Sequence, residues 1–228
     1  MKKLDDYISQ FYTDINSMEI KMGLDRVGFV KDLTNIKPNF PIISVGGTNG
    51  KGSVCSFLET IYSKAGYRVG CYTSPHLFKF NERIKVDLKE IDDETILKSL
   101  DFIQANKKST ELTYFEVTTL AAMHIFIEKK IDVAILEVGL GGRLDAVNIF
   151  DSDLSIITSL GMDHQDFLGH SIDEIGYQKS GICRPNKNTI LNFGNSGTLA
   201  RLLIGILSTT PNIDVIIKGD HSLNKRSM

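Results

Sequence analysis

The stretch Pro41-Ile42-Ile43-Ser44-Val45-Gly46-Gly47-Thr48-Asn49-Gly50-Lys51-Gly52-Ser53 decides how the rest of the chain is read. Residues 41–45 form a short, mostly apolar run rich in β-branched side chains, which predicts a strand buried on both faces. After Gly50, residues Val54, Phe57, Leu58 and Ile61 recur at helical spacing and predict a helix packed on that side, with Gly66 just past its end. A glycine-rich turn between strand and helix leaves backbone N–H groups free and aims a helix N-terminus at them, a cradle for phosphate oxygens. Lys51 adds a positive charge, and the Ser53 hydroxyl is placed to ligate a magnesium ion. Asn49, Gly50, Lys51, Gly52 and Ser53 are therefore the candidate nucleotide contacts. The spacing departs from the usual P-loop. Gly52 separates the lysine from the serine, and Val45 stands where the first glycine belongs.

Strands and helices alternate on both sides of this motif. Leu4, Ile8, Phe11 and Ile15 predict a helix, and Val27, Val30 and Leu33 continue a similar face after Gly23. Residues 68–73, 132–138 and 154–159 read as strands. Helices are expected after Asp92 or Asp93, from about Phe115 to Lys130, and from Ser171, which with Glu174 makes a capping box, to near Gly181. This alternation predicts an α/β fold, a P-loop-type, mostly parallel sheet flanked by helices. The organised domain spans residues 1–185. Residues 186–228 read as a shortened remainder with strands at 189–193 and 213–217, no further strand–helix–strand unit and a polar tail.

Composition narrows the function classes. With 228 residues, 42% hydrophobic and 24% charged, the chain has material for a sizeable core. A formal charge of −2, from 26 basic and 28 acidic residues, lacks the overall signature of a nucleic-acid binder. No apolar run reaches the roughly 18 residues of a membrane span, and the polar N-terminus is unlike a secretory signal. Cys55, Cys71 and Cys183 are odd in number and far apart, giving neither a disulfide framework nor a zinc pattern. A cytoplasmic protein, without nucleic-acid or membrane partners, is expected.

Further blocks share the chain with the P-loop. They are Thr73-Ser74-Pro75-His76-Leu77 followed by Asn81-Glu82-Arg83-Ile84, then Thr113-Tyr114-Phe115-Glu116, then 136–148 (Leu-Glu-Val-Gly-Leu-Gly-Gly-Arg-Leu-Asp-Ala-Val-Asn). Asp163-His164 with Asp166 and Leu168-Gly169, and Gly176-Tyr177-Gln178-Lys179-Ser180-Gly181-Ile182, complete the series. In their order, from about residue 20 to 185, they resemble the folylpolyglutamate synthase/dihydrofolate synthase branch of the Mur ligases.

That resemblance implies an ATP- and Mg2+-dependent ligase. ATP would phosphorylate the carboxylate of dihydropteroate or a folate, and the amine of L-glutamate would attack the acyl phosphate. It implies magnesium held by Ser53, Ser74, Glu137 and His164, and a carbamylated Lys179 acting with Lys51 and His164 in catalysis. It places the organic substrate against Ile20, Lys21, Met22 and Gly23, against Ser74, Pro75 and His76, against Thr113, Tyr114, Phe115 and Glu116, and against Leu144, Asp145 and Ala146. It also implies a monomer and a second, C-terminal domain, which this length leaves out.

The residues carry part of this alone. Glu137 ends a strand expected to neighbour the P-loop strand, a place for a magnesium-holding acid, although a solvated strand-end acid fits the same position. A lysine takes up carbon dioxide only as the neutral amine, so Lys179 needs surroundings that lower its pKa; an exposed helical lysine is the plainer reading. Phe115 suits stacking on a pterin ring or packing at a helix start, and Asp145 suits accepting hydrogen bonds from the substrate. Gly139, Gly141 and Gly142 have the wrong spacing for a dinucleotide fingerprint. Asp132, His124 and the Lys225-Arg226 pair read as structural or solvated. Two other classes stay in view: a non-catalytic remnant that binds ATP or folate, and a small-molecule kinase sharing only Lys51 and Ser53. The kinase would have no need of the other blocks.

Overall fold

The computed structural model describes residues 4–13, 21–184, 188–192 and 214–218. Its strands are β1 (Ile42–Gly46), β2 (Val69–Tyr72), β3 (Ile84–Val86), β4 (Lys89–Glu90), β5 (Val133–Glu137), β6 (Leu154–Ile157), β7 (Asn188–Asn192) and β8 (Asp214–Lys218). They form one sheet in the order β4-β3-β2-β5-β1-β6-β7-β8. From β2 to β8 every pairing is parallel, and β3 and β4 close one edge as an antiparallel hairpin. The helices are α1 (Leu4–Thr13), α2 (Asp25–Leu33), α3 (Lys51–Lys64), α4 (Asp93–Asn106), α5 (Tyr114–Glu128), α6 (Gln165–Leu168) and α7 (Ile172–Ser180).

Alternate strand residues feed two cores. Ile43, Val45, Cys71 and Ile135 pack under α3 through Cys55, Leu58 and Tyr62. Ile42, Tyr72, Ala134 and Leu136 join the larger core on the other face, where α4 and α5 lie. Helix α5 is buried almost all round, from Glu116 to Ala122 and on to Phe126, which suits a helix wedged between the sheet and α4. Asp92 caps α4, and Ser171 with Glu174 forms the expected capping box on α7.

One expectation needs correcting. Helix α3 does not pack through Phe57 and Ile61, which are 69% and 62% exposed. It buries Cys55 and Glu59 and half-buries Val54, Leu58 and Tyr62, because the face toward β1, β2 and β5 is set by the strand–helix turn. The two late strands expected at 189–193 and 213–217 are present, shifted by about one residue. β7 pairs with β6 and β8 with β7, both in parallel register, so the two late apolar runs extend the sheet by two strands.

The strand order positions the site. From β1 the chain passes to β2, and β5 later inserts between them; from β5 it crosses β1 to reach β6. The C-terminal ends of β2, β5, β1 and β6 therefore stand side by side at one edge. In open parallel sheets, ligands bind in the crevice at such a reversal.

Candidate active site

The loop after β1 owes its path to two glycines. Gly47 and Gly50 adopt φ of 138° and 85°, in the region that disfavours side chains. A Cβ on Gly47 would collide with the Thr158 hydroxyl and lie 3.1 Å from the backbone N and O of Ser159. This close approach lets the loop after β6 brace the P-loop. The Thr48 N–H donates to the Ser159 carbonyl (2.8 Å), the Asn49 N–H to the Ser159 hydroxyl (3.0 Å), and the Thr158 hydroxyl to the Asn49 carbonyl (2.7 Å). Thr48 and Gly161 exchange two further bonds: the Thr48 hydroxyl donates to the Gly161 carbonyl (3.2 Å) and accepts the Gly161 N–H (3.1 Å). Lys51, in the first turn of α3, folds back so that Nζ donates to the carbonyls of Gly47 (3.0 Å) and Thr48 (3.3 Å). Thr158 and Ser159 escaped the sequence reading; their strand-end position beside the P-loop strand was the available signal.

Glu137 ends β5 directly beside β1, with its partner position at Val45. It is buried, and Oε2 accepts the Ser74 N–H at 3.0 Å. A Cβ on Gly52 would lie 3.8 and 3.9 Å from the two carboxylate oxygens, so this acid sits against the first turn of α3, where Ser53 is exposed. Burial raises the Glu137 pKa, with the Ser74 N–H, Lys51 and Arg83 pulling it back down. It is not a solvated strand-end acid. Ser74 precedes a cis bond to Pro75, and His76 Nδ1 accepts from Arg83 Nε at 2.8 Å.

Lys179 is buried, at 2% exposure, rather than solvated on its helix. Its Nζ lies 3.1 Å from Asp163 Oδ2 and 3.3 Å from the Gly47 carbonyl, tying α7 to both the β6 loop and the P-loop. Burial is the main influence on its pKa and lowers it, while Asp163 opposes the shift. The second Asp163 oxygen is buried with no hydrogen-bond partner. His164, the neighbour picked from sequence, is exposed with φ of 43° and begins α6; Asp163 is the residue that reaches Lys179.

Among the described residues no three His, Cys, Asp or Glu side chains cluster as a cation cage. Magnesium does not require one, since it binds through one or two carboxylates plus waters and substrate phosphates. Glu137 against the first turn of α3, Ser74 beside it, and an orphaned buried oxygen on Asp163 fit such an ion.

The 21–23, 113–116 and 144–146 segments, which the family resemblance assigns to the organic substrate, meet at a second corner. Ile20 lies outside the described residues. The Gly23 N–H donates to the Leu144 carbonyl at 3.4 Å, and the Met22 methyl approaches Gly141. Arg26 binds the Lys21 carbonyl (2.8 Å) and Glu116 (3.0 Å), which brings the 21–26 segment to the start of α5. Phe115 half-buries its ring against Gly139, where a Cβ would come within 2.7 Å, and tilts against Tyr72 with centroids 6.0 Å apart.

Two acids here are occupied by the protein itself. Glu116 Oε2 accepts the Thr113 N–H at 2.7 Å, a capping box on α5, while Oε1 takes Arg26. Asp145 accepts three backbone N–H groups, from Gly139 (3.1 Å), Leu140 (2.8 Å) and Val147 (2.9 Å), and so shapes the loop after β5. Burial nevertheless pushes its carboxyl up to about 6. Asp132, expected to be merely solvated, accepts the Arg68 N–H at 2.7 Å. His124 is half-buried in helix packing, bonded to Ser99 and stacked on Phe102, and Cys55, Cys71 and Cys183 form no disulfide.

The P-loop, the strand-end acid and the buried lysine thus converge at one edge of a mostly parallel sheet, the frame of a P-loop nucleotide-binding domain. Residues 45–203 match the Mur ligase middle domain, and the chain belongs to that family. Among curated proteins it is 49% identical, over 77% of its length, to the dihydrofolate synthase/folylpolyglutamate synthase of Haemophilus influenzae, and 43% identical over 79% to that of Escherichia coli. These matches cover 40% and 43% of the two relatives. A solved structure of E. coli FolC in complex with DHPP and ADP superposes with a TM-score of 0.86 at 38% identity, over 95% of this chain and 51% of that one. The Yersinia pestis bifunctional folylpolyglutamate synthase/dihydrofolate synthase complexed with AMPPNP and Mn superposes at 0.84, with 37% identity over 95% and 52%. The chain spans about half the length of these relatives. No helix among the described residues is long and apolar enough to cross a membrane.

Proposed function

We propose that this chain is the nucleotide-binding half of an ATP-dependent ligase that adds L-glutamate to dihydropteroate, to folyl-(poly)glutamate, or to both, through an acyl phosphate. One observation carries the reading: the P-loop, Glu137 and Lys179 converge at one corner of the sheet edge, and the 21–23, 113–116 and 144–146 segments converge at another. The names of the relatives supply the substrate class.

In this reading the Asn49–Ser53 backbone and the start of α3 hold the phosphates, and Lys51 turns from its own loop carbonyls to the transferring phosphoryl group. Magnesium, held by Glu137 and Ser74 with Ser53 and His164, would neutralise charge between nucleotide and acceptor when bound. Lys179, once carbamylated, would exchange its ties to Asp163 and Gly47 for a place in that charge network. Phe115 presents a ring face to the pterin, and Asp145 fixes the loop lying over it. Thr113, Tyr114 and Glu116 set the start of α5, while Met22, Leu144 and Ala146 line the acceptor.

The test is nucleotide binding to the full 228-residue chain, followed by calorimetry. Lys51→Ala should weaken Mg-ATP binding on the order of 10- to 100-fold, the worth of one charge-assisted phosphate contact. Unchanged affinity overturns the P-loop assignment. Because the chain covers about half of its relatives, a second reading also stands: a module that binds ATP without completing the reaction. ADP release above background with ATP, dihydropteroate and glutamate separates the two.

A further inference from the structure

Arg83 ends the 3₁₀ turn leading into β3, and its carbonyl accepts the Thr73 N–H at 2.9 Å, which places it beside the end of β2. The residue is 7% exposed. Its Nε donates to His76 Nδ1 at 2.8 Å, and its guanidinium carbon lies 5.5 Å from the Tyr114 ring centre and 5.9 Å from that of Phe80. Those ring faces offset part of the cost of burying a cation.

What is missing is a counter-ion. The other buried cation of the site, Lys179, has Asp163 at 3.1 Å, but among the described residues no carboxylate pairs with Arg83. A desolvated charge without a partner is expensive, and a planar guanidinium is shaped to take a carboxylate through two parallel N–H bonds. Its Nε is committed to His76, and neither terminal nitrogen donates to a described residue. Through His76 the cation adjoins the Ser74–Glu137 side of the nucleotide corner; through Tyr114 it adjoins the start of α5 and the ring of Phe115. Its field reaches both sides, since it draws down the pKa of Glu137 and of Tyr72.

We propose that Arg83 binds the acceptor's carboxylate: its terminal nitrogens hold the reacting carboxylate of an aromatic acid between the phosphate cradle and the Phe115 ring. There it would offset repulsion between two anions, the carboxylate and the nucleotide phosphate it must approach. This rests on the pteroate-type acceptor proposed above.

The experiment compares dihydropteroate with its carboxamide, which keeps the rings and lacks the charge, using pterin fluorescence and the full chain. The wild type should prefer the acid by about tenfold or more, the worth of a charged hydrogen-bond pair. Arg83→Gln should bind both ligands at the amide's affinity while holding Mg-ATP as tightly as the wild type, and Arg83→Lys should keep only part of the preference. A purely structural role would weaken acid and amide alike. If Arg83→Gln also loses Mg-ATP, and so its fold, Arg83→Lys decides by the same ratio. An acid preference that survives in an ATP-binding variant overturns the proposal alone. A wild type that binds Mg-ATP but neither pterin overturns the acceptor reading and this proposal with it.

Discussion

At the nucleotide corner, cations lean on backbone carbonyls: Lys51 on Gly47 and Thr48, and Lys179 on Gly47 with Asp163. At the corner where the 21–26, 113–116 and 144–146 segments meet, acids are filled by the protein itself: Asp145 by three backbone N–H groups, Glu116 by its helix cap and by Arg26. Carbonyl contacts are easily exchanged for phosphate oxygens, because a charge-assisted bond to an anion is the stronger one. Three N–H bonds to one carboxylate are not so readily given up. One corner is thus poised to change partners, and the other is a mould whose shape its internal hydrogen bonds maintain.

Three substitutions press on this contrast. The largest effect is expected at Asp145. Its carboxyl sits at about 6 against an ordinary 3.8, so the folded chain holds this proton more tightly than the unfolded one. Stability from this group is complete below about pH 4 and falls by about 3 kcal/mol as pH rises through 6. Denaturant unfolding of wild type and Asp145→Asn, taken as a difference, should show that fall between pH 4 and 7. A difference that rises instead would mean the three N–H bonds outweigh burial. Next, Gly47→Ala forces a side chain into a left-handed backbone and against Thr158, a strain of about 1–3 kcal/mol. Mg-ATP affinity should drop more than pterin affinity; equal losses would show that the corners are not separable. The smallest effect belongs to Glu116→Gln, which removes a part-exposed ion pair and should lower stability by about 1 kcal/mol, read as a small drop in Tm. A larger loss in pterin affinity than in stability would give Glu116 a direct substrate contact.

The same contrast explains what was legible in the sequence. Strands β1, β5 and β6 and the caps of α4 and α7 follow from local patterns a few residues long. The block residues were recognisable as a set, but single positions within it were not sorted by role. Glu116 belongs to its block as the second half of a helix cap, and its other partner, Arg26, lies 90 positions away. Asp163 and His164 are adjacent, and only folding shows which one meets Lys179. The α3 face was misread because Phe57 and Ile61 carry the helical period while Glu59, a charged residue, takes a buried position beside Lys85. The late strands β7 and β8 were legible as short apolar runs, while their parallel pairing with distant partners was not.

The paired bonds between Thr48 and Gly161, joined by those from Thr158 and Ser159, make two loops 110 positions apart into one plate. The backbone amides of Thr48, Asn49 and Gly161 cannot open to water one at a time, since each is held by the other loop. Their hydrogen exchange should therefore follow a single opening event, with similar protection at all three amides.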